Sequence, residues 1–169
     1  MKYFHIDTDS QHRANWKPLC VHQEFNAGKN LNPIFSNWIK SATRIEDNIT
    51  ETDVKINFSI MLRESVFENI RLVKNPDLPS RKNCIWLCDS EAHARDWLSR
   101  IPHNGMRRML ELEQLDGSLH KVYEQHLTNN PENIIELEER ATNYWSGHGF
   151  GRYELLATGH FRVTRVLPV

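Results

Sequence analysis

Four residues, far apart in a chain of 169, carry side chains suited to binding or catalysis. They are His5 in the opening YFHID, Trp86 in NCIWLC, Trp97 eleven positions later, and Glu154 in YELLATG. An imidazole exchanges hydrogen bonds with hydroxyls, an indole face holds cations and flat rings, and a carboxylate stabilises positive charge. Each type also has an ordinary structural use: His5 as a half-buried strand residue, the tryptophans as core aromatics, Glu154 as a solvated edge carboxylate. The sequence has no GxxxxGK phosphate loop, no HExxH and no GxSxG. Cys20, Cys84 and Cys88 are odd in number, and three residues separate the last two, which fits neither a zinc knuckle nor a redox pair. His103, His120 and His126 lack metal-ligand spacing, so no metal is expected.

Positioning these residues falls to a single domain over residues 1–169, long enough to bury a core without disulfides or a structural metal. With 39% hydrophobic and 25% charged residues, the composition is that of a polar globular protein, neither disordered nor collagen-like. Its 21 basic and 22 acidic residues give a net charge of −1. Neither half holds a basic excess, with 10 against 10 in residues 1–80 and 11 against 12 in 81–169, so bulk charge does not argue for nucleic acid. No apolar run approaches the ~18 residues of a membrane span, and MKYFHID does not open a signal peptide. A cytoplasmic protein with reduced thiols and no membrane partner is expected.

The pattern predicts a strand over 2–7, then a polar loop over 8–31. Asn32 and Pro33 open a helix carrying Phe35, Trp38, Ile39 and Ala42, and a second runs from about Val54 to Val73 with Phe58, Met61, Leu62, Val66 and Ile70 on its apolar face. NCIWLC reads as a short strand, and Asp89 and Ser90 cap a helix bearing Ala94, Trp97, Leu98 and Ile101. Beyond Gly105 the alternation through Leu110 and Leu112 is a strand, and Asp116-Gly117 predicts a hairpin into a return strand over 121–125. Asn130 and Pro131 start a helix with Ile134, Leu137, Ala141 and Tyr144 inward; YELLATG and HFRVTRVL read as two closing strands. This order is α+β, not the alternation of a doubly wound sheet.

In this order and context the motifs resemble the ADP-ribosyltransferase superfamily, in the type with a histidine on its first strand. YFHID matches that strand, CIWLCDSEAHARDW matches a strand-helix unit with two aromatics, and ELLATGHFRVTRV matches the segment that opens on the family's glutamate. LPSRKNCIWL also resembles a feature of small bacterial and phage proteins of unassigned function with this fold. The resemblance runs from residue 3 to 166 and implies a split β-sheet core flanked by helices, with NAD as substrate and no metal. It implies that His5 holds the adenosine ribose, that Trp86 and Trp97 sandwich nicotinamide, and that Glu154 is catalytic. The chain departs from the family in using Trp where Tyr is usual and Ala94 where a serine binds the amide. Arg152 stands where the arginine-modifying branch has a glutamate, which disfavours that specificity.

The implied chemistry is physically coherent. Breaking the nicotinamide-ribose bond develops an oxocarbenium-like centre, which a carboxylate accepting the 2′-hydroxyl stabilises. An indole face suits the cationic ring, and His5 as a neutral donor suits a ribose hydroxyl. Arg81 and Arg152 are candidate pyrophosphate partners, because guanidinium matches phosphate oxygens in pairs. The expected activity is mono-ADP-ribosyl transfer to a macromolecule, either a protein or a nucleic acid read by a rim of Arg95, Arg100, Arg107, Arg108, Arg162 and Arg165. By family analogy such a transferase is often a toxin with an antitoxin or other neutralising partner. The alternatives are an inactive binding module of the same fold and an RNA 2′-phosphotransferase; the second does not depend on this glutamate.

Overall fold

A computed structural model describes residues 1–8, 17–33, 35–36, 50–101, 105–130 and 132–169. In chain order its elements are β1 (Lys2–Thr8), β2 (Glu24–Ala27), α1 (Glu51–Lys74), β3 (Ile85–Leu87), α2 (Glu91–Arg100), β4 (Arg107–Gln114), β5 (Ser118–Tyr123), a 3-10 turn (Glu124–His126), α3 (Ile134–Trp145) and β6 (Tyr153–Leu167). The fold is α+β with an open antiparallel sheet. No described helix is long and apolar enough to cross a membrane.

The 15-residue β6 is the spine. Its first half, through Thr158, pairs with β3 on one side and β5 on the other. From Gly159 onward it pairs with β2 and β4, and β1 extends that sheet beyond β4. A bridge between Phe4 and Cys88, with backbone bonds of 2.9 and 2.8 Å, ties β1 to the end of β3. Strand β1, which carries His5, therefore runs beside β3, which carries Trp86.

The predicted pair of closing strands is one strand, and Asp116-Gly117 does not turn a hairpin. β4 and β5 do not pair with each other; both run antiparallel to β6, Met109 opposite Leu167 and Tyr123 opposite Tyr153. At the crossing the chains touch backbone to backbone: a Cβ on Gly159 would stand 2.2 Å from the Asp116 carbonyl oxygen, and one on Gly117 2.0 Å from that of Thr158. Both glycines have positive φ, 115° and 109°, so side chains are excluded by space and by conformation. The predicted loop over 8–31 also contains β2, whose Phe25 stacks on Phe161 at 5.6 Å. Residues 9–16 of that loop lie outside the described residues.

The helices follow their caps. Thr50 and Asp53 form a capping box on α1, Asn133 and Glu136 form another on α3, and Ser90 caps α2. α3 thus starts at Ile134, later than the expected Asn130, and Ile134 itself is exposed. Asn32 accepts from the Phe35 backbone N–H at 3.0 Å, as a cap should; Trp38, Ile39 and Ala42 lie outside the described residues. On α1 Val66, Leu62 and Ile70 face the core as expected, but the rest of the buried face differs. Phe58 and Met61 are exposed, while Ser59, Arg63, Glu64, Val66, Phe67 and Arg71 are buried. That face serves two purposes: Val66 and Phe67 join Val122, Leu137, Tyr144, Trp145 and Leu156 in a core between helices and sheet, and its charged residues build the site.

Candidate functional site

A cavity of about 900 Å³ opens where β1, β2 and β3 meet. Its lining includes His5, Trp86, Trp97, Arg81 and Glu154, with Asp7, Asn32, Asn83 and the two buried thiols among their neighbours. Residues up to 149 positions apart in sequence thus face one space. Arg152 is not among the lining residues: it is exposed, with its Nε 3.7 Å from Asp96. Ala94 is wholly buried in the small core beneath α2 and does not line the cavity either.

His5 sits on β1 with Nδ1 2.9 Å from the Trp86 carbonyl oxygen. Only an N–H can bond a carbonyl, so Nδ1 donates and the neutral ring's other nitrogen is an acceptor. Each indole already carries a guanidinium: Arg100 lies over Trp97 at 4.3 Å, and Arg81 stands 5.8 Å from the Trp86 ring centre.

Glu154 lies on the first half of β6, opposite Val122 of β5, and is 5% exposed. Its Oε1 accepts from the Tyr144 hydroxyl at 2.7 Å and from Nη1 of Arg81. Both bonds fall on one oxygen, so among the described residues Oε2 keeps its lone pairs for a ligand. Arg81 also donates Nε to Oε2 of Glu64 at 3.0 Å, and Arg63 bonds the other Glu64 oxygen at 2.7 Å. Arg63 in turn holds the Thr128 carbonyl and the Asn129 side chain. Two buried cations and two buried carboxylates form a neutral chain from α1 to the cavity wall.

This chain fixes the charge states. Burial opposes the charge on Arg81, but Glu154 and Glu64 outweigh it and hold the guanidinium protonated. Burial also works against ionised Glu64, yet Arg81 and Arg63 keep its carboxyl below the usual range. The Tyr144 phenol is pushed well up by burial, and by Glu154 against the opposing pull of Arg81, so it remains a donor. The Cys84 and Cys88 thiols are raised by burial, Cys88 to about 12, which removes both as thiolate nucleophiles. Among the described residues no group of three His, Cys, Asp or Glu side chains is arranged to hold a metal.

A model of the family described as "Protein of unknown function (DUF2441)" matches residues 3–168. The chain belongs to this family. No curated protein matches it. The family match runs from before His5 to beyond Glu154, so the DUF2441 domain includes every residue of the cavity wall named above.

Two features of this DUF2441 chain were not found from its sequence. Tyr144 reads there as a core aromatic and Glu64 as an unremarkable polar residue; the only signal is a charged Arg63-Glu64 pair flanked by Leu62 and Val66. The expected basic rim is also altered. Arg95 pairs with Glu91 at 2.6 Å, Arg100 with Glu124 at 3.0 Å, Arg108 with Asp7 at 2.6 Å, Arg162 with Glu24 at 2.7 Å and Arg165 with Glu111 at 3.5 Å. Arg107 bonds the carbonyls of Leu98 and Ile101 near the end of α2. Each of these arginines is thus paired with a carboxylate or bonded to backbone carbonyls.

Proposed function

We propose that this DUF2441 chain is an NAD-dependent mono-ADP-ribosyltransferase with an ADP-ribosyltransferase-like split sheet, acting on a macromolecule. One observation carries the reading: His5, Trp86, Trp97 and Glu154, chosen by their sequence context, line the same cavity. Its volume of about 900 Å³ lies near the top of the range for small-molecule sites, which suits a dinucleotide better than a small metabolite. The donor set fits as well. A cationic nicotinamide ring has the indoles of Trp86 and Trp97 in the wall, a ribose hydroxyl has the imidazole of His5, and the 2′-hydroxyl has Oε2 of Glu154.

In this reading Glu154 accepts the 2′-hydroxyl hydrogen bond and stabilises positive charge on the sugar as the nicotinamide bond breaks. Arg81 holds Glu154 instead of binding the pyrophosphate, because two carboxylates already occupy it. Its neutralisation also speaks against the RNA 2′-phosphotransferase, which needs free positive charge for a phosphate. The paired arginine rim favours a protein acceptor over nucleic acid. A role as the toxin of a toxin-antitoxin or phage-conflict pair is consistent with this activity.

The Arg81–Glu154 pair favours one competing reading, a binding module in which the glutamate is purely structural. NAD labelled on its adenine phosphate, incubated with mixed protein and polynucleotide, separates the two. Label on protein with wild type and none with Glu154→Gln is expected. NAD binding with neither nicotinamide release nor label would establish the binding module.

A further inference from the structure

We propose that Glu64, which does not line the cavity, is a positioning residue for Glu154: by holding Arg81 it keeps one Glu154 oxygen open to a ligand hydroxyl. The kinetic consequence rests on the NAD reading; the structural consequence stands on the contacts alone. Guanidinium and carboxylate prefer a fork in which two N–H groups meet both oxygens. Arg81 makes no such fork with Glu154. Glu64 holds the Arg81 Nε at 3.0 Å, which anchors the turn of the guanidinium plane, and Arg81 reaches Glu154 through Nη1 alone, on the oxygen that Tyr144 also bonds.

Glu64 can do this because it is itself fixed. It is 4% exposed on α1, and two nitrogens of Arg63 hold its other oxygen at 3.2 and 2.7 Å. With Glu64 gone, Arg81 would have one carboxylate partner in a buried setting, and the favoured arrangement would be the fork. Both oxygens of Glu154 would then be occupied. Glu64 thus acts on the site from outside it, by limiting how its neighbour can bond.

The test uses Glu64→Leu, Glu64→Gln, and Glu64→Leu combined with Arg81→Leu. In crystals of Glu64→Leu, Arg81 is expected to fork across Glu154. Nicotinamide release by this variant is expected to fall about 10- to 100-fold while NAD affinity stays within about threefold, a loss confined to the chemical step. Glu64→Gln, which keeps an acceptor for Nε, should retain most of the activity. The double variant frees Oε2 again and should be faster than Glu64→Leu, a reversal that simple loss of stability does not produce. A single-oxygen contact persisting in the Glu64→Leu crystal, or a double variant no faster than the single, overturns the proposal. If Glu64→Leu does not fold, Glu64→Leu with Arg63→Met keeps the buried charge balanced and carries the same test. Absence of nicotinamide release by wild type would defeat the NAD reading and leave the crystal to decide this one.

Discussion

Arg81 governs the behaviour of the candidate site, because it is a buried cation shared between two buried carboxylates. Arg81→Met would leave Glu64 and Glu154 without their common counter-ion, and breaking such a pair costs about 3–5 kcal/mol. Chemical denaturation should show a loss of that size; a loss below about 1 kcal/mol would mean that the pair is not buried as described. Tyr144→Phe removes one donor from Oε1 and keeps the ring between Phe67 and Trp145. It should cost only about 1–2 kcal/mol of stability. The sequence made Glu154, His5 and Trp86 legible because motif context marks them. Tyr144 and Glu64 were not, because a helical pattern does not distinguish a polar residue facing water from one facing a buried counter-ion.

At the scale of elements, the crossing of β6 with the β4–β5 connection depends on two glycines, Gly117 and Gly159. Gly159→Ala and Gly117→Ala each force a Cβ against a carbonyl at positive φ. Each should lower the unfolding free energy by more than about 2 kcal/mol, seen as a fall in melting temperature. Gly151→Ala meets nothing within 4 Å and should cost less, though its φ of 76° still carries strain. Asp116-Gly117 misled the sequence reading for a physical reason: the positive φ that closes a hairpin also lets two backbones cross at close range. β2 escaped notice because Glu24–Ala27 has one large apolar residue, and its partner lies far along the chain. The long helices were legible because caps and periodicity are local signals, while the burial of Glu64 on α1 goes with a distant partner, Arg81.

For the whole molecule, acid should act in two steps. Burial depresses His120, against a bond to the Trp145 carbonyl that opposes it, so the folded state disfavours the protonated ring. As pH falls below 6.5, the unfolded chain takes up a proton that the folded one refuses, and stability declines through the lower folded value. Replacing His120 with Gln should flatten that part of a stability-pH curve. A second decline belongs to Glu64 and Glu111, the first held low by Arg81 and Arg63 against burial, the second by Lys2 and Thr164. Their contribution is complete above 4.5 and is lost as pH drops through their depressed values. Calorimetric titration with NAD tests most directly whether this one cavity holds one dinucleotide. Wild type and Glu154→Gln should both bind, with a dissociation constant below about 1 mM, while His5→Ala and Trp86→Ala should weaken binding about tenfold. No heat of binding at millimolar NAD, or equal affinity in all four proteins, would contradict it.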